Sequence, residues 1–388
     1  MKNFILFCLL LSFACCTISL LNASYEKSLQ KNLKIVLDDK FRASMHIETI
    51  GVTNVKFDLQ TRFTYFTSPD CQDCYLFTEE NELTPYSCLP QNSCLVVGQF
   101  TNFQISQDYF ASGDIIDVPI VIDGTILYLQ GVYHVKYIKP TSLNPQKYDS
   151  QRIGLLLYSI PSARLESQVL LSLFNQGKID KLGYSIYYTD NSYHLIIPGY
   201  DTQLVYQPFY NLTSVSHLYY NETIIKNFNG QLLFCRELLN TSQVVVQIDP
   251  TFDDSFFQFH KHRLDDFIQI INEKRLQPDM SIFTADQLGK WSYLVNDFTF
   301  DINILIDQSG DFPKKPFLEL QYTSQQFMEQ KNNYYMPKLK FLDINQDYLP
   351  LGKRVFSQYL FYTYQDENMN YKYALTPLKP KKQLRQVG

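Results

Sequence analysis

Two aspartates stand at the ends of apolar runs in opposite halves of the chain. In "VKFDLQTRF", Val55 to Phe63, Asp58 follows an alternation that puts Val55 and Phe57 on one side. In "VVVQIDPTF", Val244 to Phe252, the apolar run ends at Asp249, with Pro250 and Thr251 after it. Two carboxylates brought face to face share one proton, because like charges at close range do not both ionise. Such a pair can take up and return a proton beside a bound molecule. Gln60, Thr61 and Thr251 are the polar neighbours of such a pair. The plainer reading makes each Asp an ordinary turn or cap residue at a strand end.

Other groupings carry less. His260-Lys261-His262 has metal-binding residue types, but as the first turn of a helix it reads as a solvated face. Asp249, Asp253 and Asp254 lack the regular alternate spacing of a calcium loop. Asp253 and Asp254 read instead as caps of the helix that follows. There is no nucleophile elbow with a Ser-His-Asp order and no phosphate loop. No metal and no cofactor is expected.

The elements that must position the carboxylates are mostly strands. "SMHIETIGV", "VKFDLQ", "FTYFTS", "SCLVVGQF", "DIIDVPIVIDG" and "TILYLQGVYHVKYI" are short and rich in Ile, Val, Tyr and Phe. Turn residues bound each of them. Residues 25–44 read either as one short amphipathic helix or as an extended arm. Glu166 to Ile179 reads as a helix, with apolar residues at 169, 170, 173 and 174 and a stop at Gly177. Residues 260–274 read as a second helix, with Leu264, Phe267, Ile268 and Ile271 on one face. "YSIYY", "HLIIPGYD", "DFTFDINILI", "FLELQY", "KLKFLDI", "VFSQYLFYTY" and "YKYALTPL" return to strands. The class is all-β with a few short helices.

The N-terminus begins with Lys2, then the apolar "FILFCLLLSFACC", then small and polar residues. That order predicts a signal peptide over 1–21, with an uncleaved anchor as the alternative. No later stretch is long enough to span a bilayer. A net charge of −5, with both signs interspersed, points to neither nucleic acid nor an anionic membrane. The 15% aromatic content favours strands and a large core. Four of the eight cysteines, Cys71, Cys74, Cys88 and Cys94, cluster together. C-x2-C opens some zinc sites, but in an oxidising compartment the cluster reads as two local disulfides, with pairing left open. Cys235 is either buried and free or an intermolecular partner. Sequons at Asn22, Asn211, Asn221 and Asn240 mark exposed, glycosylated loops. The basic end, 379–388, reads as a solvated tail.

Taken in order, these pieces resemble the pepsin-like aspartic proteases over roughly 45–378. "MHIETIGVTNVKFDLQTRFTYFTSPDCQDC" resembles the family's opening strand, first catalytic strand and cysteine loop. "SGDIIDVPIVIDG" resembles the strands after the active-site flap. "YDSQRIGLLLYSI", "LLSLFNQGKIDKLGYSIYY" and "HLIIPGYD" resemble the middle of the chain, and "NQGKI" is the most specific piece. "VVVQIDPTF" falls where the second catalytic motif belongs. "YLPLGKRVFSQYLFYTYQDENMNYKYALTP" resembles the closing segment. The resemblance implies a bilobal fold: a short arm or vestigial propeptide over 22–44, one β lobe over 45–200 and a second over 201–378. It implies a cleft between the lobes and a catalytic pair, Asp58 and Asp249.

The motifs around that pair depart from the family's D-T-G. The first is Asp58-Leu59-Gln60 and the second Asp249-Pro250-Thr251. Glycine permits the tight turn that brings N–H groups to each carboxylate, and a Cβ crowds it. Leu59 and Pro250 lack the threonine hydroxyl, and Pro250 also lacks an N–H. Thr61 keeps a hydroxyl in the first motif, whereas Phe252 stands at the matching place in the second. The flap tyrosine falls near Ser106, and Tyr109 replaces it only if the loop shifts by three residues. The closing Leu-Gly-Asp is here Leu351-Gly352-Lys353, followed by an extra residue, Arg354. Only 14 glycines occur, about half the usual share.

The expectation is a secreted or lumenal monomer of this family, impaired or inactive as a protease. Its inter-lobe cleft, with Tyr109, Thr61, Gln60 and Thr251 as candidate lining, would bind a peptide or an unfolded protein segment. The alternative is an acid endopeptidase that works through Asp58 and Asp249. A third reading is a structural extracellular component linked through Cys235 or the tail.

Overall fold

The computed structural model describes residues 32–250 apart from 48–50, 60, 62, 79–84, 107, 123–124, 146–147, 149–150, 156–168, 207–208, 213, 221–222 and 235–236. Between 251 and 347 it describes the strands named below and residues 263, 265, 266 and 269. It then describes 348–379 apart from 369. The described chain is predominantly β, with a few short helices.

Three sheets carry most of it. The first is seven-stranded: β2 (Arg42–Ile47), β3 (Gly51–Asp58), β4 (Tyr65–Thr67), β5 (Leu95–Ser106), β6 (Tyr109–Ile122), β7 (Thr125–Pro140) and β8 (Gln151–Gly154), in the order β2-β3-β8-β4-β7-β6-β5. The second joins β18 (Leu318–Thr323), β17 (Asp301–Ile306), β13 (Thr223–Phe234), β14 (Glu237–Ile248) and β22 (Tyr348–Leu351) in that order, with β12 (Ser214–Tyr220) also on β13. The third is six-stranded, in the order β1 (Leu33–Leu37), β10 (Ser192–Ile197), β9 (Gly183–Thr189), β23 (Tyr359–Gln365), β24 (Tyr371–Pro377) and β11 (Tyr210–Leu212). Smaller pairings join β15 (Phe257–His260) to β21 (Leu339–Leu342), and β20 (Tyr334–Pro337) to both β16 (Tyr293–Leu294) and β19 (Met328–Lys331).

The third sheet takes strands from both sides of residue 200, so neither span, 45–200 nor 201–378, contains it whole. One continuous core binds all three sheets. It includes Phe57 and Ile153 from the first, Val246 and Leu349 from the second, and Tyr184, Leu195 and Leu375 from the third. A second core lies within the first sheet, where Phe63, Phe100, Phe103 and Tyr133 pack ring against ring beside Cys71 and Cys74.

Local patterns explain most elements. In β1 the sequence LKIVL alternates buried and exposed, and the buried Leu33, Ile35 and Leu37 enter the core. Of the two readings of 25–44, helix or extended arm, the described part is extended: β1 and the start of β2 are strands. The helix expected near 166–179 appears as α2 (Val169–Asn175). It ends as its sequence implies, with Gly177 at φ +63°. The N–H of Gly177 donates to Phe174 C=O (2.9 Å) and that of Lys178 to Leu173 C=O (2.9 Å). An unforeseen short helix, α1 (Gln72–Phe77), follows Cys71.

Two expectations need correction. "VFSQYLFYTY" does not begin as a strand: α3 (Lys353–Gln358) precedes β23. An extended run would send Val355 and Phe356 to opposite faces. The helix buries both in the core and leaves Ser357 and Gln358 exposed. Likewise His260 closes strand β15 instead of opening a helix, because 257–260 pairs in parallel with β21. Residues 263, 265, 266 and 269 are helical, as the amphipathic pattern implies.

The cysteine cluster forms two disulfides, Cys71–Cys74 and Cys88–Cys94. Cys88–Cys94 closes a loop with a sequence separation of 6. A loop of that size restricts the unfolded chain by about 2 kcal/mol. Cys88→Ser with Cys94→Ser is therefore expected to lower the urea midpoint by an amount equivalent to about 2 kcal/mol. An unchanged midpoint would show that the bridge adds nothing. Cys235 lies outside the described residues.

Candidate functional site

The site is built from two matching strand pairs. In β3, Val55 and Phe57 are fully buried, so Lys56 and Asp58 point to the opposite face. β3 runs parallel to β8, with Asp58 opposite Gly154. The N–H of Leu155 donates to the Asp58 carbonyl (2.8 Å). In the second sheet, β14 runs parallel to β22, with Ile248 opposite Leu351. Asp249 and Gly352 are next in line, and the Asp249 N–H donates to Leu351 C=O (3.0 Å). Each half thus places an aspartate at the end of one strand or one residue past it, beside a parallel strand that runs into a glycine. Parallel neighbours need long crossovers. The same uncommon arrangement in both halves is therefore a repeat at the level of topology.

The third sheet reaches towards both aspartates. Tyr193 on β10 donates its hydroxyl to the Pro250 carbonyl at 2.6 Å, in the buried interior. Its ring meets Phe41 (5.4 Å between centroids) and Phe356 (5.8 Å) edge to face. The Phe41 carbonyl in turn accepts from the Phe57 N–H (2.9 Å), one residue before Asp58. Tyr184 on β9 is fully buried. Burial raises its hydroxyl pKa well above the usual tyrosine range, and the nearby Tyr373 and the Asp58 carboxylate push the same way.

The decisive neighbour of Asp58 is a cation. Arg152 Nη1 lies 2.9 Å from Asp58 Oδ2, with the two side chains only 15% and 17% exposed. The pair is diagonal across the β3–β8 register, where Arg152 stands opposite Lys56. The guanidinium also lies over the Tyr65 ring, 5.5 Å from its centroid. Asp249 is half-buried, and Pro250 after it is buried.

The position after Gly352 is also a cation with its own partner. Lys353 Nζ lies 2.8 Å from Asp39 Oδ1 and 4.4 Å from the Tyr188 ring centroid. Tyr188 donates its hydroxyl to the same Asp39 oxygen (3.1 Å). The hydrogen bond from Lys353 holds the Asp39 carboxyl below the usual range, and Asp39 raises the Lys353 ammonium in return. Lys353 thereby ties α3 to the turn between β1 and β2.

The other site candidates fall as follows. Thr61 is buried, and its Oγ1 accepts from the Phe63 N–H (3.2 Å), so it serves its own turn. Tyr109 is 2% exposed and packs against Phe77 and Tyr148 (both 5.6 Å), so it lines no open surface. That corrects its place as a cleft residue. Alternation along β6 directs Tyr109 and Ala111 into the second core. Gln60, Thr251 and Phe252 lie outside the described residues. Asn211 is exposed on β11, Asn240 lies on β14, and Asn221 is outside the described residues. Among the described residues no group of three or more His, Cys, Asp or Glu is placed to hold a metal, and no helix is long and apolar enough to cross a membrane.

Sequence reasoning missed Arg152, Tyr184 and Tyr193, and it gave Lys353 no partner. Arg152 left one signal, a charge at the head of the apolar run "IGLLL". Nothing local says which carboxylate it meets. The chain matches no protein-family model and no curated protein.

Proposed function

We propose that the chain has the two-lobed pepsin-like fold and acts as a non-catalytic binding protein, taking a peptide or unfolded protein segment between its lobes. The repeated strand pair, Asp58 beside Gly154 and Asp249 next to Gly352, supports the fold. A sheet fed by both halves supports it as well. The observation that carries the loss of catalysis furthest is the 2.9 Å ion pair between Asp58 and Arg152, and the altered turn residues act together with it. A dyad needs its first carboxylate turned to the second and to a water. Here one carboxylate oxygen is committed to a guanidinium instead. Leu59 and Pro250 remove hydroxyls, and Pro250 an N–H, from the same turns. The signal segment and the two disulfides support a secreted or lumenal protein.

A second reading, an acid endopeptidase, is favoured by the survival of both aspartates at matched strand ends. One assay separates the two. Purified protein is incubated with an unfolded protein substrate from about pH 3 to 7, alone and as Asp58→Asn and Asp249→Asn. The expected result is no cleavage by folded protein, together with weak peptide binding that pepstatin does not displace. Cleavage that disappears in both variants would establish the endopeptidase instead.

A further inference from the structure

The sequon at Asn211 lies in a strand and not in a loop. Asn211 is the exposed middle residue of β11. Thr213, outside the described residues, completes the acceptor pattern in the sequence. β11 is the last strand of the third sheet and pairs with β24. Its neighbours Tyr210 and Leu212 turn to the common core, so Asn211 points to the outer face of the sheet. In register across that face stand Ala374 on β24 and then Tyr362 on β23.

Asn211 therefore stands beside an aromatic bed. Phe209, two residues before it, packs edge to face on Tyr200 (4.7 Å between centroids) and lies 5.9 Å from Tyr362. Tyr200 meets Tyr362 at 5.1 Å, and Tyr364 stacks on Tyr362 at 4.8 Å. The contact with Tyr362 puts Phe209 on the same face as Asn211. Only the small Ala374 stands between Asn211 and Tyr362 in the row, so no long side chain separates the two. All four rings are half-buried, and each keeps some surface open to solvent. Ring surface left in water is apolar area still to be covered.

A pyranose ring suits such a bed. With its substituents equatorial, its axial C–H groups form a flat apolar face that lies on an aromatic ring, while its polar edge stays in water. We propose that Asn211 carries an N-linked glycan whose first sugar packs on Phe209 and Tyr362 and so forms a fixed part of the third sheet's outer face. This rests on the reading that the chain enters the secretory route. The donor is an oligosaccharide on a polyprenyl diphosphate, with an N-acetylhexosamine as its first sugar. Asn211 Nδ2 attacks C1 of that sugar. The N–C1 bond forms, the C1–O bond breaks, the amide proton passes to a base of the transferring enzyme, and the diphosphate leaves with the electron pair. Because the sugar is tethered beside the rings, it covers them at little cost in lost freedom, and it stabilises the folded chain.

The test uses the full chain secreted from a eukaryotic host, with glycopeptides mapped by mass spectrometry and stability read by urea titration. Asn211 is expected to be occupied. Asn211→Gln, at an exposed side chain, should lower the urea midpoint by a few tenths of a molar. Enzymatic trimming of the glycan to its first sugar should leave the midpoint where it was. Phe209→Leu should lower the midpoint more in the glycosylated chain than in Asn211→Gln, because only the former loses a sugar contact with the ring. Asn211 bare while Asn221 or Asn240 is occupied overturns the proposal and leaves the secretory reading standing; all three bare removes both. An occupied Asn211 with the midpoint of Asn211→Gln, or a midpoint that falls on trimming, overturns the packing. So does an equal fall from Phe209→Leu in the two chains. Should Phe209→Leu not fold, the comparison of trimmed chain with Asn211→Gln decides.

Discussion

Gly113→Ala is expected to cost the protein its folded state or most of its stability. Gly113 sits at an irregularity in the β6–β7 register, between Ser112 and Gly113. A Cβ built there would lie 2.0 Å from the His134 carbonyl oxygen and 3.0 Å from the Lys136 nitrogen. Both are backbone atoms of the paired strand, so no side chain can swing aside. The strands would have to part by about 1 Å, since real Cβ contacts do not fall below 3.0 Å. Parting them disturbs the long central hairpin of the first sheet and the strand that carries His134. The expected loss is at least about 4 kcal/mol, a large part of the 5–15 kcal/mol that a domain has. Gly98→Ala is the control. Its Cβ meets only the Ile115 side chain at 3.6 Å, an ordinary contact, and the change should stay within about 1 kcal/mol. Urea titration of both variants decides the matter. A Gly113→Ala midpoint equal to that of Gly98→Ala would mean that β6 and β7 are not paired as described.

Arg152→Met is expected to destabilise the protein by about 2 kcal/mol, while Arg152→Met with Asp58→Leu loses less than Arg152→Met alone. Removing one partner of a fully buried pair costs about 3–5 kcal/mol, because the other charge is left without compensation. Here both side chains keep some exposure, 15% and 17%, so water offsets part of that penalty. Replacing both charges with apolar groups removes the uncompensated carboxylate as well. The cycle therefore yields a positive coupling between two residues that lie far apart in sequence. Single variants that each change stability by less than about 0.5 kcal/mol would show the pair to be unimportant. The same variant also bears on function. Arg152→Met should still leave protein substrates intact, because Leu59 and Pro250 continue to deny both turns their donors. Acid cleavage by Arg152→Met that vanishes when Asp249→Asn is added would show that the guanidinium alone silences a working pair.

The sequence by itself determined the β class, since short runs of Ile, Val, Tyr and Phe between turn residues bury one face without help from distant partners. It determined the end of α2, because only a glycine takes φ +63° at no steric cost. The cysteine spacing kept any bridges local, and it left their pairing to the fold. Asp58 and Asp249 were also legible as carboxylates at strand ends. What each carboxylate faces was decided only by tertiary structure. Parallel pairs such as β3–β8 and β14–β22 join strands separated by long stretches of chain, and their register follows from which faces the common core buries. That register brings Arg152 to Asp58 and sets the Tyr193 hydroxyl on Pro250. The same burial takes Tyr109 into the second core and turns "KRVFSQ" into a helix despite its strand-like composition. A side chain's partner across a sheet depends on the whole fold, and no local window of sequence contains it.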